Sequence, residues 1–362
     1  MILRRLGIVL VVFAASLAAN AYAEDARPVV AADGAVTSPG GRFPFSAFVS
    51  PEALARFQQV LADGRKSPDI FGPIAASRKF YGDMNDSRAE RMRKLYPVDV
   101  KASKIGGVPV DVVSPLAQTD NKRILINLHG GGFLWGAGSG GLVESIPVAN
   151  LAKIKVISVD YRQGPENTFP AASEDVEKVY RALLEHHRAQ DIGIYGCSAG
   201  GVLTAEAVAW IASRKLPAPG AIGIFCAGLV DMDGDSAYVA SLLMGDTVPA
   251  SPMRLAMLPY FKGASVDDPL VMPGASAAVL AKFPPTLLIS GTRDFAMSAL
   301  LRSDELLTAA GVSTEVHVWE GMWHSFFSDP EMPESQAAYR VMANFFMRHL
   351  GDGNGAAQNR RP

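Results

Sequence analysis

Cysteine is nearly absent: Cys197 and Cys226 are the only two in 362 residues. Two thiols cannot build the disulfide framework of a small secreted module or the four-ligand set of a zinc ribbon. Charge is also sparse, at 19%, and 34 Lys and Arg nearly cancel 36 Asp and Glu. No basic block stands out, so the footprint of a phosphate backbone is missing and nucleic acid is not expected as a partner. No apolar run reaches the ~20 residues of a membrane-spanning helix, and no internal repeat is visible. What the chain does have is 49% hydrophobic residues, enough for a sizeable core in one large domain or two ordinary ones. Disorder and coiled coil are excluded on composition.

The longest apolar run, Leu6 to Ala19, follows Arg4 and Arg5 and ends near Ala21-Tyr22-Ala23. A positive start, an apolar middle and an A-x-A end read as a secretory signal peptide over residues 1–23. Neither cysteine lies at that site to carry a lipid, so an exported protein, periplasmic or secreted, without a stable membrane anchor is expected. Residues 24–42 lack periodicity and read as a flexible leader, and residues 351–362 as a disordered polar tail. Residues 43–350 form one domain in this reading. Helices are expected over Pro51 to Ala62, Asp86 to Leu95, Gly200 to Ser213, Met297 to Ala310 and Ser335 to Leu350, and around Val176, Val179, Tyr180, Leu183 and Leu184, whose spacing puts an apolar stripe on one face. Strands are expected over Val108 to Val113, Ile124 to Leu128, Val156 to Val159, Ile192 to Tyr195, Ile222 to Phe225, Thr286 to Ile289 and Val312 to Val318. This alternation predicts an α/β fold, with a mostly parallel sheet covered by helices on both faces.

Chemistry gathers where those strands end. Ile192 to Tyr195 runs into Gly196-Cys197-Ser198-Ala199-Gly200, a G-x-S-x-G sequence in a strand-turn-helix setting. A turn that sharp requires glycine beside the serine, and Ser198 at a helix N-terminus faces free N–H groups that favour developing negative charge. Ile124 to Leu128 leads into His129-Gly130-Gly131-Gly132-Phe133. Consecutive glycines let backbone N–H groups converge on an oxyanion, whereas neither phosphate-binding glycine pattern is present. His129 precedes the serine and is read as a brace for this loop.

With these blocks in view, together with Tyr161-Arg162-Gln163-Gly164-Pro165-Glu166 and Phe169-Pro170-Ala171-Ala172, the chain resembles the hormone-sensitive-lipase-like esterases. These are the bacterial family IV branch of the α/β-hydrolase fold, and the resemblance runs from about Val108 to His349. It departs from the family at Cys197, where an acidic residue or threonine is usual, and at Gln163-Gly164, where Leu-Ala is usual. In this fold the acid and then the base follow the nucleophile. Of the three histidines after Ser198, His317 lies in an alternating strand and His349 ends a helix. His324 sits just past the last strand and matches the family's Gly-x-x-His element, which makes it the base. Asp294 and Asp231 each follow a strand, and Asp304 is a weaker candidate on a helix. The resemblance selects Asp294 as the acid.

The implied activity is serine carboxylic-ester hydrolysis of small to medium apolar esters through an acyl-enzyme on Ser198. The resemblance places the oxyanion hole at Gly131, Gly132 and Ala199 and requires neither cofactor nor metal. A lactone or amide hydrolase using the same triad, and a hydrolase-fold binding protein without activity, are the alternatives. The 96 residues from Ser198 to Asp294 exceed the ~60 that two strands and their helices need. The surplus, about residues 235–278 and rich in Met244, Met253, Met257, Tyr260, Phe261 and Met272, is expected to join residues 43–100 as a helical cap with an adaptable apolar pocket. Phe133, Trp135 and Trp323 are expected pocket walls. Asp231 to Asp235 resembles a calcium loop with misplaced glycine and is read as a solvated acidic turn. His186-His187 is read as compensation of a helix dipole. Cys197 is read as a buried thiol, and a bond to Cys226 as geometrically demanding.

Overall fold

A computed structural model describes residues 28–38, 41–117 and 122–351. The expected signal peptide and most of the expected tail lie outside them. Eleven strands and nine α-helices are described. Short strands β1 (Val29–Val30), β2 (Val36–Ser38) and β3 (Gly41–Phe43) form an antiparallel meander. This corrects the reading of residues 24–42 as a flexible leader for its described part. Val36 is fully buried and Val30 packs on the core beside it, so two apolar side chains suffice to hold strands too short to show periodicity.

Helices α1 (Pro51–Gly64) and α2 (Ile74–Leu95) follow. Ser50 caps α1 by accepting from the Ala53 N–H at 3.1 Å, with Pro51 at the first helical position. Only the charged second half of α2 is legible in sequence, because its buried residues are few: Ser77, Ala89 and Met92.

The main sheet comprises β4 (Val98–Ile105), β5 (Val108–Pro115), β6 (Ile124–Leu128), β7 (Lys155–Val159), β8 (Ile192–Cys197), β9 (Ala221–Phe225), β10 (Thr286–Arg293) and β11 (Thr314–Trp323). Their order is β11-β10-β9-β8-β6-β7-β5-β4. The six from β11 to β7 are parallel, while β5 and β4 add antiparallel at one edge. β4 was not anticipated, and it trims the expected first cap segment, because residues 98–100 belong to the sheet. Its outer side chains are largely exposed and polar, as an edge strand requires.

Alternate residues of the central strands feed two cores. Ile124, Ile126 and Leu128, with Ile192 and Ile194, pack toward α4 (Ala171–Leu184), α5 (Ala199–Ser213) and α8 (Met297–Ala309). Leu125, Tyr195 and Phe225 pack toward α3 (Ser139–Ala152) and α9 (Pro333–His349). α4 buries Val176, Val179, Tyr180 and Leu183, the stripe its spacing predicts. Helix α3 escapes sequence reading because it is buried nearly all round and contains Pro147, so it has almost no polar face to mark a period. The remaining helices, α6 (Ser236–Leu243) and α7 (Ala277–Leu280), lie in the insertion between β9 and β10.

Candidate active site

The ends of three strands, β8, β10 and β11, deliver three side chains to one place. β8 ends at Cys197, and Ser198 takes φ 57°, ψ −123° before α5 begins at Ala199. So strained a backbone throws the side chain above the sheet. Gly200 is required because a Cβ there would lie 1.7 Å from the Leu128 carbonyl oxygen. Arg293 on β10 pairs with Trp323 on β11, so the residues that follow, Asp294 and His324, emerge side by side. His324 Nδ1 lies 2.7 Å from Asp294 Oδ1, and His324 Nε2 lies 2.9 Å from Ser198 Oγ. Asp294 is fully buried; its Oδ1 also accepts from the Ala296 N–H at 2.9 Å, and its Oδ2 from the Ser290 hydroxyl at 2.8 Å. Burial alone would raise this carboxyl, but His324 and those two donors hold it below the ordinary range. Phe295 stacks on the His324 ring at 4.3 Å.

The rival residues are engaged elsewhere. Asp231 accepts from the Leu255 N–H at 3.0 Å and approaches Arg254, which also pairs with Asp233 at 2.9 Å. The acidic turn therefore anchors the insertion. Asp304 accepts from Thr314, His317 bonds Glu315 at 2.9 Å, and His349 packs on Phe345. His187 Nδ1 lies 2.7 Å from the Lys122 carbonyl.

The glycine loop sits against the serine because Leu128 on β6 pairs with Gly196 on β8. Gly131 has φ 118°, and a Cβ there would fall 2.1 Å from the Trp135 carbonyl oxygen, so no other residue fits. Among the described residues, the N–H groups of Gly131, Gly132 and Ala199 have no backbone acceptor. His129 is fully buried and neutral in its pairing: Nδ1 donates to the Gly130 carbonyl at 2.8 Å, and Nε2 accepts from Gln163 at 3.2 Å. Tyr161 stacks on it at 4.3 Å and bonds its carbonyl at 2.7 Å. The histidine braces the loop, and unusual Gln163 completes that brace.

Glu144 on α3 was missed by sequence reading. Its Oε1 accepts from the Gly130 N–H at 2.9 Å, and its Oε2 from Asn127 at 3.0 Å and the Cys197 N–H at 3.2 Å. One carboxyl thus joins the glycine loop to the serine turn, which lacks the family's usual acidic neighbour at position 197. The sequence signal was an acid in the largely apolar run from Leu142 to Val148. Burial pushes Glu144 up from 4.5 to about 7, despite the three donors that favour its charge. A raised carboxyl favours the fold below its unfolded pKa, and that contribution disappears as pH rises through about 7. Wild-type stability relative to Glu144→Gln should therefore fall by up to about 3 kcal/mol between pH 4.5 and 8, as read from paired denaturation curves. A constant difference across that range would refute the shift.

Both cysteines are buried and free. Cys197 Sγ lies 2.9 Å from the Ser325 hydroxyl, and Cys226 Sγ accepts from the Ser325 N–H at 3.3 Å. Burial pushes the Cys197 thiol up, so it is a packing group and not a thiolate.

A cavity of about 440 Å³ opens onto Ser198 and His324. Trp135, stacked on Tyr81 at 4.4 Å, and Trp323 line it as expected. Phe133 does not: it is fully buried, stacked on Tyr260 at 4.6 Å and edge-on to Phe261 at 5.0 Å. Its positive φ of 58° turns the ring from the cavity into the core. The insertion's aromatics thus fill the core, and of its methionines named above only Met253 lines this cavity. More of the wall comes from α1 and α2 than from the insertion.

A family described as alpha/beta hydrolase fold matches residues 125–328. The crystal structure of an esterase from the bacterial hormone-sensitive lipase family superposes with a TM-score of 0.74 at 25% identity, covering 83% of this chain and 99% of that one. This chain belongs to the hormone-sensitive-lipase-like esterases of the α/β-hydrolase family. The esterase is also 31% identical to the carboxylesterase NlhH of Mycobacterium tuberculosis over 60% of its own length and 71% of that protein's. It is 25% identical to an acetyl-hydrolase of Streptomyces hygroscopicus over 69% and 83%. The structure of esterase E25 aligns with a TM-score of 0.71 at 29% identity over 85% and 97%. The esterase is accordingly a serine hydrolase of carboxylic esters. Among the described residues no helix is long and apolar enough to cross a membrane.

Proposed function

We propose that Ser198 is the nucleophile, His324 the general base and then acid, and Asp294 the group that orients the imidazole. The observation carrying this reading is the continuous chain of 2.9 Å and 2.7 Å contacts from Ser198 Oγ through His324 to a fully buried carboxylate. His324 takes the serine proton through Nε2 as Oγ attacks the ester carbonyl, and Asp294 stabilises the resulting imidazolium. The N–H groups of Gly131, Gly132 and Ala199 receive the oxyanion; each such donor contributes about 3 kcal/mol of barrier lowering. His324 returns its proton to the leaving alcohol, then activates the water that clears the acyl group.

The cavity between Trp135 and Trp323 suits small to medium apolar limbs, in keeping with an acetyl-hydrolase among the relatives. Export by the 1–23 segment is part of the proposal, supported by its charge and apolar pattern. Matched ester, lactone and anilide substrates test the chemistry. Esters should be cleaved fastest, and a fluorophosphonate should label Ser198 stoichiometrically; a label-free protein that cleaves esters would overturn the assignment. Cell fractionation tests export.

A further inference from the structure

The catalytic cavity has a charged end. Arg56 on α1 and Arg88 on α2 both line it, as does Ser328, four residues beyond His324. Both arginines meet one carboxylate, Asp329, of which 1% of the side chain is exposed: Arg56 Nε at 3.0 Å and Arg88 Nη2 at 3.5 Å, both on Oδ2. Arg91 takes Oδ1 at 3.1 Å and also pairs with Glu331 at 2.6 Å. Three guanidinium groups therefore face two carboxylates, and the surplus positive charge lies on the two that border the cavity.

Anchoring α1 and α2 to the segment behind His324 needs fewer cations than this. Each guanidinium carries five N–H donors, yet the protein contacts of Arg56 and Arg88 use only a fraction of them. Arg88 Nε, like Arg56 Nε despite its 3.0 Å approach to Asp329, is closed to solvent without a hydrogen-bond partner among the described residues. Among the described residues, no ion pair joins the other acids of the cavity to Arg56 or Arg88. Asp63 lies seven residues from Arg56, about 10 Å along α1, and accepts from Gln59 at 2.8 Å. Glu144 is committed to the glycine loop and the serine turn. Asp329 stays ionised: burial would raise it, but Arg88, Arg56 and Arg91 hold it below the ordinary range.

We propose that Arg56 and Arg88 receive a carboxylate, and that the favoured substrates are esters with an apolar limb ending in that group, such as hemiesters of dicarboxylic acids. This rests on the ester-hydrolase reading of the same site. One surplus charge matches a monoanion better than a phosphate dianion, and guanidinium geometry fits a carboxylate edge. The apolar wall between the charged end and Ser198 suits the intervening methylenes.

The test compares monoethyl adipate, pimelate and suberate with the ethyl esters of hexanoate, heptanoate and octanoate. An alcohol-limb series compares 6-acetoxyhexanoate with hexyl acetate. In at least one series the anionic ester should have the higher kcat/KM, and Arg88→Gln or Arg56→Gln should lower the anionic-to-neutral ratio about tenfold or more. Using the ratio cancels general damage to the fold. Preference for the neutral ester in both series, or a ratio unmoved in both variants, overturns the proposal while leaving the esterase reading intact. If no ester is cleaved, that reading fails. Calorimetric binding of the anionic esters to Ser198→Ala then decides the proposal: it stands if binding is lost on adding Arg88→Gln and falls if no binding is seen or binding is unaffected.

Discussion

Replacing Ser198 by alanine should lower kcat/KM on every ester by roughly 10⁴- to 10⁶-fold. The size of the loss follows from the division of labour in the site. With Oγ gone, His324 has nothing to activate except water, and only substrate binding and the converging N–H groups remain to lower the barrier. The fold should not notice, because Ser198 Oγ makes its hydrogen bond to His324 and caps no helix. A melting temperature within about 3 °C of wild type is therefore expected. Retention of more than about 1% of the activity would mean that another residue attacks the ester.

Asp294→Asn should cost roughly 10⁴-fold in kcat. The amide oxygen can keep its bonds to His324 and the Ala296 N–H, and the amide nitrogen would face the Ser290 hydroxyl, which can rotate to accept. Shape survives while the negative charge beside the imidazolium is lost. Asp231→Asn keeps acceptors for the Leu255 N–H and should stay within about threefold of wild type. An inactive but folded Asp231→Asn, beside an active Asp294→Asn, would reverse the assignment.

The central strands and the serine turn were legible because parallel strands buried on both faces are short continuous apolar runs, and because a glycine-bounded serine has few other uses in that setting. Asp294 was harder to read. On the residues alone it competed with Asp231, since both follow a strand, and what separates them is which strand lies beside β11. That is a pairing fact, visible in the register of Arg293 with Trp323 and not along the chain. Glu144 and α3 were hidden for a related reason: a helix buried nearly all round has almost no polar stripe, so its one acid looks like an interruption. Phe133 was misplaced because adjacency to a motif says nothing about which way a ring turns at positive φ. Arg56 and Arg88, 32 residues apart on successive helices, meet a carboxylate more than 200 residues later, beyond the reach of local reading.

The proposed triad's assembly across strand ends would make activity a test of alignment. Ser198, Asp294 and His324 follow β8, β10 and β11, and β9 holds the first of these in place through the Phe225 carbonyl, which accepts from the Ser198 N–H at 2.8 Å. A slip of one residue between β10 and β11 would carry His324 about 3.3 Å along the sheet and turn alternate side chains to the opposite face. The 2.7 Å contact to Asp294 would not survive such an error. Turnover thus reads out whether the C-terminal third of the chain has found its place, so recovery of hydrolysis after unfolding counts only molecules whose last strand has docked in register.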